Sequence, residues 1–262
     1  MTRIGDKFIE LKRLGEKALI PFFFAGDPDM ETTFELILSA ESAGADIIEL
    51  GIPYSDPLAD GPVNQQAASR ALKNGFKIKD IFSFVKRVRK VTDIPIVFLL
   101  YFNCIMQYGI ENFLKDCTLS GVDGLVIPDL PYEEKLNYKN AFKKYPVDII
   151  ALVTPSSKER LKQLVKDSSG FIYCVTSSGV TGTRSSFKTD FASFTSEIAC
   201  FTDTPRVLGF GISTPRQVEE LKKYAEGIIV GSAIVRLIGD GSKGDMVKRV
   251  SKFVKELKDA LK

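Results

Sequence analysis

The chain has 262 residues, 44% of them hydrophobic, and its 36 basic and 33 acidic residues leave a net charge of +3. That length lies close to the roughly 250 residues of one barrel domain, so a single catalytic domain over 1–262 is expected, and the interspersed charge excludes a polycationic surface for nucleic acid or anionic membrane. No apolar run approaches the ~18 residues of a membrane span and the charged start MTRIGDKFIELKRLGEK is no signal peptide, so a cytoplasmic location is expected.

Ile4, Phe8 and Leu11 fall at helical spacing and predict an amphipathic helix ahead of the first strand, covering a barrel floor. Eight short apolar runs follow between turn signals: ALIPFFF from Ala18, DIIELG from Asp46, DIPIVFLLY from Asp93, GLVIPDL from Gly124, DIIALV from Asp148, FIYCVT from Phe171, RVLGFG from Arg206 and GIIVG from Gly227. Their nearly continuous hydrophobicity marks strands buried on both faces, as in a parallel sheet. Between them the period becomes helical, with Phe34, Ile37 and Leu38 on one face, then Ile81, Phe84 and Val85, then Leu161, Leu164 and Val165. A last helix carries Met246, Val250, Phe253, Val254 and Leu257 on one stripe. The alternation predicts an α/β fold, a (β/α)8 TIM barrel with an additional N-terminal helix; an open doubly wound sheet is the competing architecture. Two connections, 52–64 and 177–187, are longer than geometry requires, and both follow strand C-termini, where barrels place their active sites.

Histidine is absent, which excludes Ser-His-Asp or Cys-His machinery and imidazole-built zinc sites. Acid–base work falls to carboxylates, Lys, Tyr or water. Cys104, Cys117, Cys174 and Cys200 form no CxxC pair and read as packing residues. Glu49 stands out: in DIIELG, strand alternation sends Ile47 and Glu49 to one side and Ile48 and Leu50 to the other, so Glu49 points into the barrel mouth if the latter pair packs on helices. The bland alternative is a structural ion pair with a Lys or Arg. Apolar neighbours would raise its pKa toward neutrality. Asp60 in ADGP, Asp56 in SDP and Asp27 in GDP are equally compatible with ordinary turn chemistry. Three glycine turns, 179–183, 209–213 and 231–233, follow the last three predicted strands and suit close backbone approach to a phosphate, aided by a helix beginning near Ser232.

The segments ELGIPYSDPLADGP, DGLVIPDLP, SGVTGTR, GFGIS and GIIVGSA resemble, in order, those of the tryptophan synthase alpha chain family, from about Phe8 to the last helix. The resemblance implies retro-aldol cleavage of indole-3-glycerol phosphate to indole and glyceraldehyde 3-phosphate, with no metal or organic cofactor. It implies Glu49 and Asp60 as the catalytic carboxylates, Gly182, Gly211, Gly231 and Ser232 around the phosphate, Thr181 steadying Asp60, and Tyr173 lining the site. Phe22, Leu99, Val126, Phe210 and Ile229 fall where the family presents apolar walls, with plain barrel core as the alternative. Asp56, Pro57 and Asn103 match segments that contact a beta chain, which implies an alpha2-beta2 assembly. Asn64 departs from the apolar residue usual at its position, and Cys104 from Pro or Leu. Competing readings are a sugar-phosphate isomerase sharing the phosphate turns and a weakly catalytic activator of a beta subunit.

Overall fold

The computed structural model of the chain describes residues 2–175, 190–209, 211–240 and 243–262. Its strands are β1 (Ala18–Phe24), β2 (Ile48–Gly51), β3 (Ile96–Leu99), β4 (Gly124–Val126), β5 (Asp148–Ile149), β6 (Ala151–Val153), β7 (Ile172–Val175), β8 (Arg206–Gly209) and β9 (Gly227–Val230). They form one sheet in the order β5-β4-β3-β2-β1-β9-β8-β7-β6, with every neighbouring pair parallel. The two strands at the ends of that order are consecutive in the chain, separated by Ile150 alone. One half pairs with β4 and the other with β7, so β5 and β6 together are the fifth strand that the sequence predicts, and the sheet closes through it. Ile150 itself donates its N–H to the Leu125 carbonyl at 2.9 Å. Closure removes the unpaired edges of an open sheet, which decides against the doubly wound alternative.

Side chains alternate across this wall as the two-residue period requires. Ile48, Leu50, Phe98, Leu125, Ile172 and Leu208 face outward into a shell packed by the helices. Ile20, Ile47, Val97, Val126, Ile150, Phe171, Tyr173, Val207 and Ile229 face inward. Ile4, Phe8 and Leu11 of α1 (Arg3–Leu14) join that inner cluster from below, as their spacing predicts. This helix starts where the Thr2 hydroxyl accepts from the Gly5 N–H and stops at Gly15, whose φ of 70° favours glycine. In α2 (Met30–Ser42) the buried face is Thr33, Leu36, Ile37 and Ala40. Leu38, expected there, is only half-buried, because it stands about 100° around the helix from Ile37. Cys104, Cys117 and Cys174 are buried, whereas Cys200 is exposed at the end of the helix Phe191–Ala199 and does no packing.

Charges at the strand N-termini are neutralised in place. Asp123, before β4, takes Arg3 at 3.0 Å and Arg89 at 2.7 Å, and accepts the Ile96 N–H at 2.8 Å. Asp46, before β2, takes Lys258 of the helix Lys243–Leu261 at 2.9 Å and the Leu19 N–H at 2.7 Å. These contacts tie loops to strand starts on the floor, the face of a barrel associated with stability.

Candidate active site

At the C-terminal ends of the strands lies a cavity whose lining includes Glu49, Asp60, Phe22, Leu99, Tyr101 and Tyr173, with Ile229, Gly211, Gly231 and Ser232. Glu49 reaches it because Ile48 and Leu50 pack outward, so the alternation turns Glu49 inward between Phe22 and Val97, its register partners. Its side chain is 2% exposed, and its Oε1 has no hydrogen-bond partner. Among the described residues no cation contributes to its electrostatics; burial first, and the nearby Asp60 charge second, push its pKa up to about 8. The structural ion pair is thereby excluded among the described residues, and Glu49 holds a proton at neutral pH.

Asp60 ends the loop that leads into α3 (Pro62–Leu72), and its N–H closes a turn on the Pro57 carbonyl at 3.0 Å. Its carboxylate does more than that turn. Asn64 Nδ2 donates to Oδ1 at 3.0 Å, and the Tyr101 hydroxyl donates to Oδ2 at 3.0 Å while accepting the Ala59 N–H at 2.9 Å. Burial raises the Asp60 pKa, and the Asn64 and Tyr101 donors oppose it. The three aspartates that the sequence leaves equivalent now separate. Asp27 is buried in a two-pronged pair with Arg70 at 2.9 and 2.8 Å and is structural; Asp56 is exposed; Asp60 alone enters the cavity.

The walls are made partly by what two glycines lack. A Cβ on Gly51 would stand 2.6 Å from the Phe22 ring, and one on Gly209 2.6 Å from the Tyr173 ring. Both aromatic rings occupy space that any other residue on the neighbouring strand would fill. Ser232 opens the helix Ser232–Gly239, and Gly231 accepts its first backbone bonds, from Ile234 at 2.8 Å and Val235 at 3.1 Å. The cavity therefore meets a helix N-terminus, which favours an anion. Val126, expected as a wall, is in the packed inner cluster and does not line the cavity, so for this residue plain core was right. Thr181, Gly182 and Phe210 lie outside the described residues.

Tyr101 is not among the site residues that the sequence singles out, and Gly209 is read there only as part of a phosphate turn. The period-two pattern of Val97 and Leu99, continued one step, puts Tyr101 on the cavity side; the glycine turn that holds Gly209 does not reveal that its missing Cβ makes room for the Tyr173 ring. Asp56 and Asn103 are exposed and Pro57 half-buried. Asn103 Nδ2 donates to the Tyr54 hydroxyl at 2.8 Å, and the Tyr54 and Tyr101 rings stack 5.2 Å apart. That surface is thus connected through two aromatic rings to Asp60.

A closed (β/α)8 barrel whose mouth holds two buried carboxylates, one without a hydrogen-bond partner on its Oε1 and one held by two donors, defines a class of barrel protein with a carboxylate-lined cavity. Residues 8–262 match the family model described as tryptophan synthase alpha chain. A tryptophan synthase alpha chain of Caldanaerobacter subterraneus is 51% identical, the match covering 100% of both chains. Among solved structures, one from Aquifex aeolicus superposes with a TM-score of 0.91 at 36% identity over 100% of both chains. A Mycobacterium tuberculosis tryptophan synthase structure gives 0.90 at 32% identity, covering 99% of this chain and 98% of that one. The chain belongs to the tryptophan synthase alpha chain family, lyases that cleave indole-3-glycerol phosphate to indole and glyceraldehyde 3-phosphate in tryptophan biosynthesis.

Proposed function

We propose that Glu49 and Asp60 are the acid–base pair with which this chain performs that cleavage. The observation that carries the reading is their asymmetry: Glu49 keeps its proton up to about pH 8, while Asp60 receives two hydrogen-bond donors that favour its ionised form. The indole N–H donates to the Asp60 carboxylate, which raises electron density at the ring carbon bearing the glycerol chain. Glu49 delivers its proton to that carbon. The carboxylate so formed takes the proton of the adjacent glycerol hydroxyl, the carbon–carbon bond breaks, its electron pair returns to the ring, and the hydroxyl carbon leaves as the aldehyde. Glu49 ends as it began, protonated, so the cycle balances without another acid or base. Each transfer of this kind contributes about 10²- to 10⁴-fold in rate.

The phosphate binds at Gly182, Gly211, Gly231 and Ser232, where a helix N-terminus and close backbone approach select an anion, and Thr181 steadies Asp60. Phe22, Tyr173 and Phe210 enclose the ring. The whole of 1–262 works as one catalytic barrel domain in the cytoplasm. Asp56, Pro57 and Asn103 face a tryptophan synthase beta chain in an alpha2-beta2 assembly. Incubation with indole-3-glycerol phosphate should release indole, and Asp60→Asn should lose turnover while still binding glycerol phosphate. Unchanged turnover in that variant would remove Asp60 from the mechanism.

A further inference from the structure

Asn64 lies in the first turn of α3, four residues after Asp60, so its side chain reaches back to the end of the loop. It is 6% exposed, its Nδ2 stands 3.0 Å from Asp60 Oδ1, and its own Oδ1 is buried without a partner. The amide turns its NH₂ to the Asp60 carboxyl and its carbonyl away, the arrangement that serves an ionised carboxylate, which can only accept hydrogen bonds. A buried carbonyl without a donor carries a free-energy cost that an apolar side chain of the same size avoids. The cost is coupled to one contact, the one made to Asp60.

We infer that Asn64 is a positioning residue of the cleavage reaction: its amide holds the Asp60 carboxylate ionised and oriented as the acceptor for the substrate nitrogen, and so fixes which of the two carboxylates is base and which is acid. The inference rests on the assignment of Asp60 made above. The titratable groups around Asp60 are Glu49 from β2, Tyr101 following β3 and Tyr173 from β7, with no cation among the described lining residues. Glu49 is neutral below about pH 8 and adds a like charge above it, Tyr173 stays a phenol, and Tyr101 serves only Oδ2. Without Asn64, Oδ1 has no side-chain donor among the described residues to set against burial. Asp60 would then take up a proton at higher pH, and a protonated Asp60 is a poorer acceptor for the indole N–H.

The test is the pH dependence of kcat/KM for Asn64→Leu, which removes the donor at nearly constant volume, and for Asn64→Asp, which keeps the shape and adds a carboxylate. The ascending limb should move to higher pH in both variants, costing about tenfold on its acid side, while the descending limb set by Glu49 stays. The kcat should fall more than KM rises, affinity for glycerol phosphate should hold, and Asn64→Gln, which retains an amide donor, should restore the ascending limb. Profiles parallel to the parent at every pH would overturn the inference. Asp60→Asn, assayed alongside, separates the two failures. If that variant is inactive and the Asn64 profiles are unshifted, only the role of Asn64 falls; if it turns over normally, the assignment of Asp60 falls too. Should Asn64→Leu not fold, the contrast between Asn64→Asp and Asn64→Gln reads the same limb.

Discussion

Buried carboxylates occur at both ends of this barrel, and their surroundings are opposite. On the floor, Asp123 has two arginines and a backbone N–H, and Asp46 has Lys258 and a backbone N–H. At the mouth, Glu49 and Asp60 are buried as Asp123 is, yet among the described residues no cation contributes to the environment of either. A charge that only has to hold elements together is best neutralised, whereas a group that must gain and lose a proton works when neither state is fixed by a permanent counter-charge. On the roles proposed for Glu49 and Asp60, the same residue type serves stability below and chemistry above.

The largest effect that sharpens this contrast is expected from Glu49→Gln. Indole formation should fall at least about 10²-fold, read by indole release, because the amide keeps the shape but transfers no proton. Its stability should change in the opposite sense. The folded pKa of Glu49 is raised from 4.5 to about 8, so the parent binds this proton more tightly folded than unfolded and loses stability as pH rises through that window. The loss approaches the order of 4 kcal/mol by its upper end, and thermal midpoints measured across the window should fall less steeply in Glu49→Gln than in the parent. Equal slopes would mean that Glu49 is not buried with its proton.

Asp123→Ala should do the reverse. Breaking the pair strands the buried Arg89, whereas Arg3 is half-exposed and keeps Asp93, and should cost about 3–5 kcal/mol of stability, measured by denaturant unfolding, while activity per folded molecule stays close to the parent. A catalytic loss larger than the folding loss would blur the distinction between floor and mouth.

Much of that distinction is legible in the sequence, and the remainder is not for identifiable reasons. The alternation in DIIELG places Glu49 correctly because a strand offers only two faces, and apolar residues claim the outer one. Asp27, Asp56 and Asp60 look alike in sequence because each sits in turn chemistry; their fates depend on Arg70, solvent and Tyr101, partners at sequence separations that no local pattern encodes. The split of the fifth strand at Ile150 was equally hidden, since DIIALV reads as continuous.

Smaller effects probe the anion site. Gly231 has space for a methyl group, since its added Cβ would meet Phe22 at 3.6 Å, an ordinary contact. Gly231→Ala should therefore fold normally and lose about tenfold in glycerol phosphate affinity by equilibrium titration. Gly211 has φ 81°, so Gly211→Ala should also lose about 1 kcal/mol of stability from backbone strain, which makes it the less clean test. Unchanged affinity in Gly231→Ala would remove that glycine from the phosphate site. The smallest change is expected from Asp56→Ala: the isolated chain should keep its rate, and the rise on adding a beta subunit should diminish, as for an exposed charge at an interface rim.

The Tyr54–Tyr101 pair has an optical consequence. The chain has no tryptophan and eight tyrosines, so its own emission is phenolic, and an indole emission can only come from substrate or product. Tyr101 donates its hydroxyl to a carboxylate, a contact that quenches a phenol, and Tyr101 and Tyr173 both border the cavity. Excited tyrosines beside a bound indole ring pass energy to it; the same ring in bulk solution receives none. Tyrosine-sensitised indole emission thus distinguishes occupied from emptied cavities during turnover, with no label added to the protein.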